Sequence, residues 1–291
     1  MQQQLFSRPS DVKRVVKARD SHSHKRDFGY LLIVGGSNVY SGAPALAGIA
    51  GLRTGAGLVF IAAPKGVAGI IRSYSPNLIV HSLSNDVITV DDTHKINELL
   101  ARSDAIVLGP GIGLDSKTQA AIPEIIKAAM EMNKPMLIDA DAIRSLHGRI
   151  EFLRRTKVVL TPHAGEFEAI SGIHMPPHWR ERVPLCVEFA KKNSCILLMK
   201  GHDTVITDGD RVKVNNTGNP GMATGGTGDV LSGIIGAFLA QKADPFFAAV
   251  AGAYVHGLAG DRAYKEKGFH IVASDIIDVL PTVLRRYDHE T

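Results

Sequence analysis

The chain is short of cysteine. Of its 291 residues only Cys186 and Cys195 carry a thiol, too few for a disulfide framework, and they show no metal-ligand spacing. That usage suits a reducing, cytoplasmic setting. Aromatic residues are scarce at 6%, so small side chains must set much of the packing. No apolar run approaches the roughly 18–20 residues needed to span a bilayer. The segment Met1–Pro9 has neither an apolar core nor a cleavage pattern, so neither a signal peptide nor a membrane partner is expected. Lys and Arg are scattered rather than blocked, and the net charge is only +4. That balance reads as a solvated surface rather than a nucleic-acid footprint, and it is compatible with an anionic substrate.

Glycine, by contrast, is plentiful at 29 residues. Its densest use is in Asn215–Asp229, where Gly218, Gly221, Gly225, Gly226 and Gly228 precede an acid. The apolar run Val230–Ala240 follows at once. Residues without a Cβ let backbone N–H groups crowd around an anion. The first N–H groups of a helix lack internal partners and lie at its positive end, which favours phosphate. A carboxylate there would repel a bound phosphate unless it serves the chemistry. Taking a proton from a hydroxyl during phosphoryl transfer is such a service. The loop therefore predicts an anion hole built on Gly226, Thr227 and Gly228, with Asp229 as base.

The remaining chain alternates strand and helix patterns. Apolar runs predict strands at Gly29–Gly36, Gly57–Ala63, Asn77–His81, Ser103–Leu108, Pro135–Ala142, from Lys157, and at Cys195–Lys200. A β-hairpin is expected around Asp208-Gly209. Helices are expected over Ala43–Thr54, Lys117–Met130, Arg182–Lys192, Val230–Ala240, Ala248–Arg262 and Ser274–Tyr287, the last capped by Ser274 and kinked or broken at Pro281. The small residues of Ala43–Thr54 suit close packing, with a ligand near its first turn. Gly109-Pro110-Gly111-Ile112-Gly113 follows a strand, where open α/β sheets bind ligands. Asp139 and Asp141 end another strand. Such acids hold a ribose, a metal or water, or Asp141 caps a helix. His163 and Glu166 sit after a strand and a Pro turn at the same rim. The Ser21-His22-Ser23-His24 patch reads as surface. The alternation predicts one doubly wound α/β domain, a mostly parallel sheet flanked by helices.

These pieces, in this order from about Gly29 to Gly260, resemble the ribokinase-like superfamily. More narrowly they resemble the ADP- or ATP-dependent NAD(P)H-hydrate dehydratase family, the carbohydrate-kinase-domain proteins. The resemblance rests on Val34-Gly35-Gly36-Ser37, Ser41-Gly42-Ala43-Pro44, Leu108–Gly113, Asp139-Ala140-Asp141-Ala142, Leu160–Phe167, Lys200–Thr204 and above all Gly218–Asp229. It implies a ribokinase-like domain over 29–291 behind a short lead-in over 1–28, with no epimerase domain. It implies removal of water from hydrated NADH or NADPH, driven by ADP or ATP with Mg²⁺, through phosphorylation of the ring hydroxyl and elimination. Ala43, Gly113, His163 and Asp229 would contact the hydrate. Lys200, Gly201, His202, Asp203, Thr204 and Gly228 would hold the adenine nucleotide, by backbone at His202 and Asp203. Asn219, Thr224 and Gly225 would shape the phosphate region, and the metal ligands are left unassigned. A homo-oligomer is expected, a tetramer being one form, with the Ala43 helix and the C-terminal helices as subunit contacts. Two other readings stand beside this one. One is a small-molecule hydroxyl kinase of the same superfamily. The other is a non-catalytic nucleotide-binding regulatory protein.

Overall fold

The computed structural model describes residues 5–153 and 158–288. Strands β1 (Tyr30–Val34), β2 (Leu58–Ala63), β3 (Ile79–Ser82), β4 (Ala105–Leu108), β5 (Met136–Ile138), β6 (Val158–Leu160) and β7 (Ile196–Met199) run parallel. Strands β8 (Thr204–Thr207) and β9 (Val212–Asn215) follow antiparallel. Together they make one sheet in the order β3-β2-β1-β4-β5-β6-β7-β8-β9. Lys157, where the sixth strand was expected to start, lies outside the described residues, as do Met1–Gln4 of the lead-in.

Successive side chains of the strands feed two separate cores, as the two-residue period of a strand requires. Leu31, Ile33, Val59, Ile61 and Val107 face helices α1 (Pro9–Val12), α2 (Gly42–Arg53), α3 (Lys65–Ser73), α9 (Thr227–Ala240), α10 (Pro245–Lys267) and α11 (Ala273–Leu284). Leu32, Val34, Phe60, Ala62, Ile106 and Leu108 face α4 (Thr93–Arg102), α5 (Ser116–Glu131), α6 (Asp141–Arg144), α7 (Ala164–Ser171) and α8 (Trp179–Asn193). Both faces of the sheet are therefore covered, which is why its strands read as continuous apolar runs.

Helix α9 is the buried centre of the first layer, with every residue from Val230 to Ala240 buried. Its approach to α2 requires small residues. A Cβ added at Gly233 would lie 2.1 Å from the carbonyl oxygen of Ala47. The small-residue face of α2 is thus covered within the chain, against α9, rather than left for a second subunit.

Several elements differ from expectation. Helices α3 and α4 carry no sequence signature used above. β5 stops at Ile138, because Ala140 takes a positive φ of 53° and Asp141 opens α6; Asp141 is the first helical residue, not its cap. Val272 occupies the cap position of α11, where Asp275 accepts from its amide at 2.9 Å, so Ser274 lies inside the first turn. Pro281 does not break α11, which runs on to Leu284. Near a helix end, proline forfeits one backbone bond without forcing the chain out.

Candidate active site

The carboxyl ends of β1 and β4 lie at the point where the strand order reverses, and β5, β6 and β7 end beside them. Such a reversal opens a crevice over the sheet. Ala43 stands in the first turn of α2, after β1. It meets the loop after β4, since a Cβ on Gly111 would come within 3.0 Å of the Ala43 Cβ. Gly113, two residues on, faces Ser37. These two sequence-predicted positions therefore share the β1/β4 end of the crevice.

Helix α9 aims its N-terminus across the same rim. Its first helical bond runs from the Val230 amide to the Gly226 carbonyl, so the amides of Thr227, Gly228 and Asp229 precede it without helical partners. Gly226 makes this entry possible with φ +91°, and a Cβ there would also meet Leu46 of α2 at 2.7 Å. Thr227 Oγ donates to the carbonyls of Met222 and Thr224, both at 3.1 Å, and so closes the loop onto the helix. Asn219 Oδ1 accepts from the Gly221 amide and its Nδ2 donates to Asp261. Its side chain is thus engaged in holding the loop. Gly225 is exposed at the loop surface.

Lys200 follows β7 and enters a buried charge cluster. Its ammonium lies 3.0 Å from Asp139 Oδ1 and 3.6 Å from Glu166 Oε2. Asp139 also accepts from Thr161 Oγ1 at 2.8 Å and from Ser232 Oγ at 2.6 Å. Glu166 accepts from the His163 amide at 2.8 Å, while His163 Nδ1 caps α7 by accepting from Gly165 and Glu166. The half-exposed His163 ring thereby stands on the rim above Lys200. A Cβ on Gly228 would sit 3.8 Å from the Lys200 ammonium, which joins the β7 end to the α9 N-terminus.

The electrostatics follow from burial and pairing. Burial alone would raise Asp139, but Lys200 and the hydroxyls of Ser232 and Thr161 outweigh it and hold its carboxyl below the usual range. Burial alone would lower the Lys200 ammonium, and the carboxylates of Asp139 and Glu166 outweigh it and hold it raised. At Asp229 the compensation is too small to offset burial. Burial, reinforced by Asp139 and opposed by Lys200, pushes its carboxyl up to about 7. A carboxyl poised there accepts a proton at neutral pH far better than a surface aspartate does.

Beside α9 lies a cavity of about 410 Å³. Lys200, Gly201, His202, Thr204, Asn219, Thr227 and Gly228 line it, with His256 and Leu231. Asp203 does not; its carboxylate pairs with the outward His202 ring at 3.3 Å. Burial pushes the His256 imidazole down to about 4, so it is neutral at ordinary pH. Ser232 and His256 join the candidate site without having been singled out in the sequence, and Asp139, noted there as a strand-end acid that could hold a ribose, a metal or water, is instead engaged by Lys200, Thr161 and Ser232. His256 sits in an apolar helix where a lone His carries no local signal. Among the described residues, no group of three or more His, Cys, Asp or Glu side chains is placed to hold a metal, and no helix is long and apolar enough to cross a membrane. Cys186 and Cys195 are both buried and free, their thiols pushed by burial to about 12.

Comparison with known proteins gives a consistent result. Residues 31–282 match the sequence model of the NAD(P)H-hydrate dehydratase family. The bifunctional NAD(P)H-hydrate repair enzyme of Pyrobaculum aerophilum is 42% identical over 99% of this chain and 57% of its own length. The chain thus spans about half the length of several curated relatives it matches. The ADP-dependent (S)-NAD(P)H-hydrate dehydratase of Cenarchaeum symbiosum is 36% identical over 96% of both chains. The ADP/ATP-dependent NAD(P)H-hydrate dehydratase of Bacillus subtilis, co-crystallised with ATP and Mg²⁺, superposes with a TM-score of 0.82. Its identity is 29%, over 98% of this chain and 99% of its own. An acid in the first turn of a helix, a glycine loop, and a match over nearly the whole described chain lead to one assignment: the chain belongs to the NAD(P)H-hydrate dehydratase family.

Proposed function

We propose that this chain removes water from hydrated NADH or NADPH, consuming ADP or ATP, and so restores the reduced nicotinamide ring. The observation that carries this reading is Asp229, partly buried in the first turn of α9 beside amides that have no helical partner, with its carboxyl pushed up to about 7. The ring hydroxyl gives its proton to Asp229 as its oxygen attacks the terminal phosphorus of the nucleotide. The bond from that phosphorus to its bridging oxygen breaks, and with ADP the product is AMP. The amides of Gly226, Thr227 and Gly228 stabilise the charge on the transferring group. Phosphate then leaves from the ring carbon with electron push from the ring nitrogen, where hydroxide would leave poorly, and the adjacent ring carbon gives up a proton to water, which restores the ring double bond.

In this reading the nucleotide occupies the cavity beside α9, against Lys200–Thr204 and Gly228, and the hydrate spans Ala43, Gly113 and His163. Asn219, Thr224 and Gly225 shape the phosphate end. The Lys200 ammonium at the cavity wall suits phosphate oxygens. A Mg²⁺ ion fits as a passenger on the nucleotide phosphates, since Mg²⁺ keeps several waters and needs few protein ligands. It would neutralise phosphate charge there.

The test incubates the protein with hydrated NADH and either nucleotide, and follows absorbance of the reduced ring with release of phosphate. Recovery with at least one nucleotide is the expected result. A stable phosphorylated product without ring recovery would favour a hydroxyl kinase, and no turnover with either nucleotide would remove the proposal.

A further inference from the structure

Asp139 is a fully inaccessible carboxylate that the chemistry above does not use. Its two oxygens are filled by donors from three other elements: Thr161 after β6, Lys200 after β7 and Ser232 of α9. Ser232 follows Asp229 by three residues, which puts both on one face of α9. The carboxylate therefore lies behind the acid at the helix entrance and fixes both flanks of it. A neutral residue of similar size would avoid the desolvation of a buried ion. What the charge adds is a tether for the Lys200 ammonium and a second negative charge near Asp229.

We propose that Asp139 is a positioning residue. It anchors the Lys200 ammonium beside Gly228, and it holds a fixed negative charge behind Asp229, against which Asp229 takes up its proton. The inference rests on the phosphoryl-transfer reading of the site. The ionisable groups facing Asp229 are Asp139 from β5 and Lys200 from the end of β7. Glu166 of α7 acts on Lys200, and the neutral His256 ring of α10 stands behind Thr227. Burial is the largest cause of the raised Asp229 carboxyl, with Asp139 adding to it and Lys200 opposing. Asp139→Asn removes the added repulsion and frees Lys200 to turn toward Asp229. Both changes lower the affinity of Asp229 for a proton.

The experiment titrates the unliganded protein by carbon-13 NMR of labelled aspartate carboxyls, with the Asp229 signal assigned from Asp229→Asn. This readout needs no substrate, so its failure is distinct from failure of the proposed reaction. In the wild type, Asp229 should titrate near 7 and Asp139 below the ordinary carboxylate range. In Asp139→Asn the Asp229 titration should move to lower pH. In Ser232→Ala, which keeps the Asp139 charge, it should stay in place. With hydrated NADH and nucleotide, Asp139→Asn should move the acid limb of kcat down in pH and lower its plateau roughly tenfold, as a weaker base does. An Asp229 titration unmoved by Asp139→Asn, or moved equally by Ser232→Ala, would overturn the inference. If Asp139→Asn does not fold, the wild-type titration still decides, because Asp139 titrating above Asp229 would also overturn it.

Discussion

In the proposed reaction Asp229 is under two opposed demands. As a base it needs a high affinity for protons, and the burial that supplies this also makes its charged form costly. In the unfolded chain an aspartate titrates near 4, whereas here it titrates near 7. The cost is therefore absent below about pH 4, grows through the interval and is fully present above about pH 7. Asp229→Asn should raise stability by roughly a few kcal/mol at pH 8, with the gain vanishing at low pH. Urea unfolding at several pH values measures this, and a gain independent of pH would contradict the assignment. The same variant should lose about 10²–10⁴-fold in kcat, the range of a lost general base. For the wild type, kcat/KM should fall as pH drops below about 7, because the protonated carboxyl of the free enzyme cannot accept the hydroxyl proton. Asp229 was legible in the sequence because its signal is local: glycines, an acid, then an apolar helix within one short stretch. The partners that tune it were not. Lys200 meets Asp139 across 61 positions and Ser232 meets it across 93, distances over which spacing carries no information. Asp139 itself drew notice only as one of a pair of strand-end acids.

At the scale of elements, apolar runs located the seven parallel strands, since both sheet faces are covered there, and the Asp208-Gly209 turn located β8 and β9. They did not locate α3 or α4, which are short surface helices beside stronger strand signals. Cap positions also went astray, as at Ser274, because a serine near a helix start looks the same at the cap or two residues past it. The α2–α9 contact is where element geometry governs the site, because it sets how far the α9 entrance stands from Ala43. Gly233→Ala would improve intrinsic helix propensity by about 1 kcal/mol. The added Cβ would nevertheless lie 2.1 Å from the Ala47 carbonyl oxygen and 2.8 Å from its carbon. Those are backbone atoms that cannot rotate away, so the helices must separate. Overpacking of this kind costs about 1–3 kcal/mol or more, and it should outweigh the propensity gain. The expected outcome is a lower urea midpoint, together with a raised KM for nucleotide as the α9 entrance shifts. A midpoint equal to or above that of the wild type would mean that α2 and α9 sit farther apart than described.

Across the whole molecule, the first and last strands of the chain's layout are joined by a segment that composition marked only as a polar lead-in. Residues Leu5 and Ser7 hydrogen-bond to both sides of Val214 on β9, so Phe6 extends the sheet edge in parallel. Val12 and Val15 enter the core. Just before them Asp11 meets Lys213 at 3.0 Å, with both side chains largely buried. Asp11 also accepts from the Arg8 amide, and Lys213 donates to the Phe6 carbonyl. A pair joining residues 202 positions apart ties the start of the chain to the strand that leads into the glycine loop. Replacing a buried pair by apolar residues is often neutral, whereas removing one partner strands the other charge. Asp11→Ala should therefore cost about 3–5 kcal/mol, read as a fall in the urea midpoint. The double variant Asp11→Leu with Lys213→Met should recover most of that loss, because no charge is left unpaired. If the single variant costs less than about 1 kcal/mol, as an exposed pair would, the lead-in is not clamped to β9 by this contact. If the double variant is as unstable as the single one, the contribution comes from the Arg8 and Phe6 backbone bonds rather than from the charges.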